Sequence, residues 1–252
     1  MTLFPSTRPR IAGVLLAAGL GRRFGGPKAL ADTGSGPWVL RALATLGALD
    51  PRLVVVGAAA DDVVALLPRD VVPVKNPDFA GGMGSSLAAA LRALQGGLGA
   101  GSGVDSTAGL VVNSAVDAAV IMLVDLPDVS EAVVNRVVRT VLDGAWSAAR
   151  NSIDDAASPA AGGPDRSSAV SHTRAAGEAA NSVIPGIRSA LARATFSGRP
   201  GHPVLIGADH FAGVLAVSTG DHGARDYLAT HPALAVECGD LAGGADVDRR
   251  SD

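Results

Sequence analysis

The first side chains that could do chemistry are basic ones in a glycine-rich turn near the N-terminus. Residues 14–30 read VLLAAGLGRRFGGPKAL, in which an apolar run leads into a turn that carries Arg22, Arg23 and Lys28. The apolar run indicates a buried strand, and the glycines after it leave backbone N–H groups uncovered. Uncovered N–H groups, two guanidiniums and an ammonium together can bind a polyanion. The alternative is a glycine turn with a solvated basic rim.

The spacing of this turn excludes the two common phosphate-binding motifs. A P-loop requires lysine and then serine or threonine directly after glycine, whereas Gly26 is followed by Pro27, Lys28 and an alanine. The dinucleotide fingerprint GxGxxG fails because Phe24 stands where the third glycine belongs. A looser GxGxxxG fits through Gly25, but no acidic residue ends a strand roughly 20 residues further on.

Five segments occur in the same order as the motifs of a known family. They are LAAGLGRRFGGPKAL at 16–30, NPDFAGGMGSSL at 76–87, LVDLP at 123–127, RPGHPVL at 199–205 and GDHGAR at 220–225. Together they resemble the MobA-like nucleotidyltransferases, whose signature loop is LAAGxGxRxGxPKxL. The nearest subgroup is the molybdenum cofactor cytidylyltransferases, which attach CMP to molybdopterin. Two inserted stretches, 96–114 and 147–186, have no counterpart in these motifs.

The resemblance implies both a fold and an activity. The fold is a three-layer, Rossmann-like α/β nucleotidyltransferase domain with a mostly parallel sheet, formed by residues 1–252 as one domain. The activity is Mg²⁺-dependent transfer of a nucleoside monophosphate to a phosphorylated pterin such as molybdenum cofactor, with release of pyrophosphate. CTP is the favoured donor, because Ala18 completes Leu-Ala-Ala-Gly where guanylyl-transferring relatives tend to have Leu-Ala-Gly-Gly. A molybdoenzyme that receives the product is a further candidate partner.

The resemblance also gives the residues of the turn their roles. Nucleotide-binding positions are Leu16, Ala17, Ala18, Gly19 and Gly21, and the amides from 18 to 25 would hold the β- and γ-phosphates. Lys28 would bind the α-phosphate and the bridging oxygen, stabilising charge in the transition state without transferring a proton. Arg23 would clamp the departing pyrophosphate, since a guanidinium can donate to two oxygens at once.

Two acidic segments are candidates for holding Mg²⁺. Asp125 ends the strand VIMLV, from which a carboxylate can reach a metal that bridges the phosphates. Its alternative role is a helix N-cap, for which Asp128 and Ser130 are better placed. The C-terminal ADVDRRSD resembles the family's DIDTPED and makes Asp248 the second ligand, with Asp246 in reserve. Because Arg-Arg-Ser replaces Thr-Pro-Glu, a frayed tail is the alternative.

Base recognition is expected in the loop from Asn76 to Ser86. Its small residues allow backbone contacts with a base edge, and the nucleotide-binding candidates there are Asn76, Gly82, Ser85 and Ser86. Ser85 could instead cap a helix.

The acceptor pocket is expected to include His202, Asp221 and Arg225. A phosphate monoester is already anionic near neutral pH, so it can attack without a dedicated general base. His202 could equally be a packed loop histidine, and Arg225 could pair with Asp221.

The amino-acid composition excludes some classes of protein. A net charge of −3 argues against a nucleic-acid partner, and 48% apolar residues suffice for a core although only 3% are aromatic. The single cysteine, Cys238, permits no internal disulfide, fits a reducing compartment and is expected to be a buried packing residue. No apolar stretch approaches the ~20 residues of a membrane span, so we expect a cytoplasmic protein with no membrane partner.

Hydrophobic patterns predict strands that alternate with helices. Strands are predicted at 11–17, 53–57, 71–75, 116–124, 203–206 and 233–237, and helices at 37–49, 61–67, 85–94, 130–142, 208–216 and 223–231. This alternation implies a mostly parallel sheet whose ligands collect beyond the carboxyl ends of the strands. The stretches 96–114 and 147–186, rich in small and polar residues, are expected to be flexible insertions.

Two other functions remain open from the sequence. An oxidoreductase could use the GxGxxxG variant to bind NAD(P)H, although Lys28, Asp125 and the missing ribose-binding acid argue against it. A non-catalytic binding protein or molybdenum cofactor insertion chaperone could keep the fold without turnover, and the altered C-terminal motif is its only support.

Overall fold

A computed structural model describes residues 8–96, 115–157, 186–218, 220 and 223–249, with side chains for all of these except 145–157. Most of both expected insertions, and the acceptor candidate Asp221, lie outside the described residues. Within the described part of the chain, no helix is both long and apolar enough to cross a membrane.

The described residues form one seven-stranded sheet. Its strands are β1 (Ile11–Leu16), β2 (Arg52–Val56), β3 (Val71–Lys75), β4 (Ala118–Leu123), β5 (Leu191–Phe196), β6 (Arg199–Gly207) and β7 (Leu234–Glu237). The strand order is β3-β2-β1-β4-β6-β5-β7. The pairs among β1, β2, β3 and β4 are parallel, β6 is antiparallel to β4 and β5, and β7 is parallel to β5. The predicted α/β fold with a mostly parallel sheet is confirmed.

Helices cover both faces of the sheet. They are α1 (Trp38–Ala44), α2 (Ala60–Leu66), α3 (Met83–Gly96), α4 (Glu131–Ala157), α5 (Phe211–Val217) and α6 (Arg225–Thr230), with short 3-10 turns at Lys28–Leu30, Phe79–Gly81 and Ala208–His210. Every residue of β1 is buried, as expected for a strand with helices on both sides.

Alternating strand residues build two cores, one on each face of the sheet. Leu15 packs with α1 and α4 on one face, and its neighbour Val14 packs with α3 and α5 on the other. Few of the packed side chains are aromatic, so the cores consist mainly of alanine, valine and leucine. Cys238 is fully buried in the first core, and burial raises the pKa of its thiol, which confirms the predicted packing role.

Three differences from the predicted elements have physical reasons. The helix α4 continues to Ala157, so residues 147–157 of the expected insertion are helical, because an alanine-rich composition also favours a helix. The strand β5 was not predicted, since its six residues directly follow the low-complexity stretch. The strand β6 begins at Arg199 rather than at Pro203, because Pro200 and Gly201 hid its first half.

The turn between β5 and β6 is built around the carboxylate of Glu237 on β7. That carboxylate accepts hydrogen bonds from the Thr195 hydroxyl at 2.8 Å and from the N–H groups of Ser197, Gly198 and Gly239 at 2.8, 3.2 and 2.9 Å. These hydrogen bonds favour the ionised form and lower the pKa of Glu237 to about 2. The carboxylate thus holds the hairpin of β5 and β6 against β7.

A pH-dependent contribution to stability follows from this carboxylate. Because folding lowers the pKa of Glu237 from 4.5 to about 2, its contribution is complete above the higher value and is lost as the pH falls through the lower one. Glu237→Gln should therefore destabilise the protein near neutral pH and approach the wild type in acid. Urea unfolding of both proteins across this pH range measures the difference. A gap that stays constant with pH would contradict the role of the ionised carboxylate.

Candidate active site

The glycine-rich turn after β1 folds back onto the carbonyl oxygen of Gly21. That oxygen accepts hydrogen bonds from the N–H groups of Phe24 and Gly25 at 2.9 Å and of Gly26 at 3.1 Å. Gly21 has φ +59°, and a Cβ atom there would lie 1.8 Å from the carbonyl oxygen of Gly26. Only glycine can occupy this position, so the shape of the turn depends on it.

The N–H groups left for a ligand lie earlier in the turn than expected. Within the described residues, the N–H groups from Ala18 to Arg23 have no hydrogen-bond partner. Those of Phe24 and Gly25 are used inside the turn, so the expectation that they face a phosphate is wrong. Ala17 also differs from its neighbours, because its side chain packs into the core and its N–H donates to the Val55 carbonyl at 3.0 Å.

The ammonium of Lys28 joins two carboxylates at the edge of the sheet. Lys28 Nζ lies 2.8 Å from Asp125 Oδ2 and 3.1 Å from Asp248 Oδ1, and Arg23 Nη1 lies 3.5 Å from Asp248 Oδ2. Burial disfavours the charged lysine, but the hydrogen bonds and charges of Asp125 and Asp248 outweigh this and raise its pKa. The same contacts lower the pKa of Asp248. The Lys28 side chain is therefore held in its charged form, and it is only 14% exposed.

The C-terminal segment is held in place where it passes the end of β4. The Asp128 carboxylate accepts the N–H groups of Gly243 and Gly244 at 2.8 and 3.0 Å. The Val247 N–H donates to the carbonyl of Asp125 at 3.0 Å, and its side chain packs against the cluster that contains Trp38. The alternative of a frayed tail therefore does not hold as far as residue 249. Asp128, weighed above as a helix cap, anchors this segment instead.

Three carboxylates come close enough to share a cation. One oxygen from each of Asp125, Asp246 and Asp248 lies within 4.8 Å of the other two. Mg²⁺ and Mn²⁺ prefer oxygen ligands and are held by one or two carboxylates together with substrate phosphates. The donor set fits such an ion, and the group contains Asp248, the predicted C-terminal ligand, together with its reserve Asp246.

The loop from Asn76 is ordered by its own side chains. The buried Asn76 amide donates to Ser85 Oγ at 2.9 Å and to Ser86 Oγ at 3.1 Å, and its oxygen accepts the Asp78 N–H at 3.0 Å. Ser85 Oγ lies 2.8 Å from the carbonyl oxygens of Asp78 and Gly82. Ser85 therefore fixes the loop, whereas an N-cap would accept from a backbone N–H.

A cavity of about 440 Å³ connects the turn, the loop and the carboxylates. Its walls include Leu16, Ala18, Gly19, Gly21, Arg23, Lys28, Gly82, Ser86, Asp125 and Asp248 from the sequence predictions, together with Leu20, Phe79, Met83 and Leu123. The volume lies in the range of small-molecule sites. Asn76 and Ser85 stand behind this wall and support it. A second cavity, of about 450 Å³, lies beyond Val124 and contains none of the predicted site residues.

The two described acceptor candidates are not among the residues that line this cavity. His202 is on β6, and Arg225 is the first residue of α6. Burial and the charge of Arg193 lower the pKa of His202 to about 4, so its imidazole is neutral near neutral pH. Sequence reasoning missed Arg193, which lies on the unpredicted strand β5.

The sheet, the basic turn and the acidic cluster together are typical of an α/β protein with a nucleotidyltransferase-like fold. The family model for the MobA-like NTP transferase domain matches residues 13–235, and the chain belongs to this family. The family resemblance predicted from the five motifs is thereby confirmed.

The proteins similar to this chain include one that is named as an oxidoreductase and structures of Rv0371c and its homologue. Nicotine blue oxidoreductase of Paenarthrobacter nicotinovorans is 29% identical, over 95% of this chain and 93% of its own length. A homologue, from Mycobacterium sp. strain JC1, of Mycobacterium tuberculosis Rv0371c is 23% identical with a TM-score of 0.58, covering 96% of this chain and 92% of its own. Rv0371c in complex with manganese is 19% identical with a TM-score of 0.51, covering 92% and 88%. The two structures share the fold.

Gly21→Ala tests whether the turn has the described conformation. A methyl group at a positive φ, directed at a carbonyl oxygen, should cost about 2 kcal/mol or more of unfolding free energy. Gly19→Ala is the matched control, because a Cβ atom there meets nothing within 4 Å. Chemical denaturation of both variants measures the costs. Equal stability of the two would contradict the strained position of Gly21.

Proposed function

We propose that this protein is a divalent-metal-dependent nucleotidyltransferase that transfers CMP from CTP to a phosphorylated pterin such as molybdenum cofactor and releases pyrophosphate. The observation that carries the proposal is the Lys28 ammonium, held between Asp125 and Asp248 at a cavity lined by uncovered amides. An ammonium, free N–H groups and a carboxylate cluster are the groups that a bound metal–triphosphate requires.

Different residues of the cavity bind different parts of the triphosphate. The N–H groups from Ala18 to Arg23 bind the β- and γ-phosphates, and the Arg23 guanidinium clamps the pyrophosphate. Asp125 and Asp248 would hold Mg²⁺ or Mn²⁺, with Asp246 within reach, and the ion would neutralise phosphate charge. The manganese named in the complex of the fold relative Rv0371c supports a divalent ion here.

The transfer itself needs no proton acceptor on the protein. An oxygen of the acceptor phosphate forms a bond to the α-phosphorus while the bond from that phosphorus to the bridging oxygen breaks. The bonding electrons leave with pyrophosphate. The Lys28 ammonium, which has a flexible stem, can follow the negative charge from the α-phosphate to the bridging oxygen.

The choice of CTP rests on a small difference in the turn. Ala18 lines the cavity, and guanylyl-transferring relatives tend to have glycine at this position. Ser86 and the backbone of Gly82 face the same cavity and can bind the edge of the base.

A second candidate function is an oxidoreductase. It is supported by the similarity to nicotine blue oxidoreductase over nearly the whole chain and by the GxGxxxG spacing of the turn. The close contacts of Lys28 with two carboxylates argue against it, because NAD(P)H binding requires no such cluster.

Lys28→Met tests the catalytic role of the ammonium. Removing a charge that stabilises the transition state should reduce turnover about 10²- to 10³-fold. The chain has one other lysine, Lys75, which pairs with Asp61 at 3.2 Å on the surface, so Lys75→Met is the matched control and should keep full turnover. The measurement is pyrophosphate release from each of the four nucleoside triphosphates with molybdenum cofactor and Mg²⁺ or Mn²⁺.

Two results of that assay would reject the proposal. Turnover by Lys28→Met at the wild-type rate would remove the proposed role of the ammonium. No pyrophosphate release by the wild type with any nucleotide would reject the enzyme and favour a binding protein or insertion chaperone.

Ligand-induced thermal stabilisation separates the two candidate functions. CTP with Mg²⁺ should raise the unfolding temperature of the wild type, and Asp125→Asn should abolish most of this rise because it removes a metal ligand. NADPH should give no rise. A rise with NADPH that is insensitive to Asp125→Asn would favour the oxidoreductase.

A further inference from the structure

Three basic side chains lie together on the face of the sheet covered by α3, α5 and α6. On β5, Ala192 and Ala194 point into the opposite core, so Arg193 points to this face. On β6, Val204 and Ile206 pack into the core of this face, and His202, two residues before Val204, is close enough to Arg193 to feel its charge. Arg225 begins α6, whose residue Tyr227 packs into the same core. We call Arg193, His202 and Arg225 the basic cluster.

Two observations connect the basic cluster to the cavity. The β4–β6 register pairs Ile121 with Val204, and because the two strands are antiparallel, Leu123, a cavity wall, and His202 both lie beyond this end of the paired segment. Beside Arg225, a Cβ atom added to Gly223 would lie 3.3 Å from the sulfur of Met83, another wall residue. The basic cluster therefore lies at the side of the cavity where Leu123 and Met83 form its edge.

Arg193 is partly buried, and its guanidinium is not fully hydrogen-bonded within the described residues. Its Nε is buried and has no hydrogen-bond partner among the described residues. Burial and the like charge of Arg225 both lower the pKa of Arg193. Glu237 belongs to the same face, but its carboxylate is already bonded to Thr195 and to three N–H groups. An unpaired guanidinium nitrogen beside a second positive charge does not stabilise the folded protein.

We propose that Arg193 and Arg225, with the imidazole of His202, bind the phosphate monoester of the acceptor. This inference rests on the proposed function, which requires a second anionic substrate beside the triphosphate. A buried Nε next to a second guanidinium offers several donors to one phosphate, and an incoming dianion removes the repulsion between the two arginines. The basic cluster thereby selects acceptors that carry a phosphate and holds the attacking oxygen at the edge of the cavity.

The test is the binding of inorganic phosphate to the full-length protein. With the nucleotide site filled by Mg²⁺ and a non-hydrolysable CTP analogue, wild-type protein should still bind phosphate, and Arg193→Met should weaken this binding about ten-fold or more. The affinity for the analogue should change less than two-fold. Arg199→Met is the matched control, because Arg199 is exposed and pairs with Phe196, which packs into the opposite core. This variant should bind phosphate like the wild type.

Thermal unfolding without ligand separates binding from a structural role. Since Arg193→Met removes one of two facing like charges, its unfolding temperature should equal or exceed that of the wild type. A clear drop in that temperature, or unchanged phosphate binding, would overturn the proposal. Weakened binding of the CTP analogue by Arg193→Met would also overturn it, since the cluster would then hold the triphosphate.

A second arm keeps this inference distinguishable from the proposed function. In a Lys28→Met background without nucleotide, phosphate cannot use the Lys28 ammonium, and its binding should still depend on Arg193. If the wild type fails to bind the CTP analogue while this dependence remains, the proposed function fails and the anion site stands. If the analogue binds and the dependence is absent, the anion site fails alone.

Discussion

The arrangement of the candidate active site depends on the ammonium group of Lys28. Lys28 comes from the turn after the first strand, Asp125 from the end of a strand 97 positions later, and Asp248 from the C-terminal segment 220 positions later. Carboxylate oxygens within 4.8 Å repel one another unless a positive charge lies among them. Lys28 supplies that charge, so its ammonium group keeps the carboxylates together at the edge of the sheet.

Hydrogen bonds in the surrounding loops hold the residues of the site in these positions. Gly21 lets the turn fold back, which uses some amides internally and leaves those of residues 18–23 uncovered. Asp128 binds two glycine N–H groups of the C-terminal segment and so brings Asp246 and Asp248 to the end of β4. Asn76 plays the corresponding part for the loop at the opposite wall of the cavity. The residues that support the site are therefore polar side chains whose hydrogen bonds fix the loops around it.

Much of this could be predicted from sequence because the informative residues follow strands. Lys28 belongs to the turn that follows one apolar run, Asp125 comes directly after another, and the carboxyl ends of parallel strands meet at one edge of the sheet. The features that could not be predicted depend on contacts between residues far apart in the sequence. Arg193 lies on a strand next to a low-complexity stretch, and its relation to His202 arises from antiparallel pairing that no local pattern encodes. The bonds of Glu237 reach a turn about 40 residues earlier, and the loss of the Phe24 and Gly25 amides follows from a backbone dihedral angle.

The single cysteine makes the protein a convenient subject for spectroscopy. Cys238 is 0% exposed, and its sulfur lies 3.4 Å from the Val236 carbonyl oxygen, so maleimide and spin-label reagents should leave it untouched. A cysteine introduced anywhere on the surface would then react alone, without prior removal of the native thiol. Pairs of such labels, one beside the glycine-rich turn and one beside α6, could report the distance between these two regions in solution.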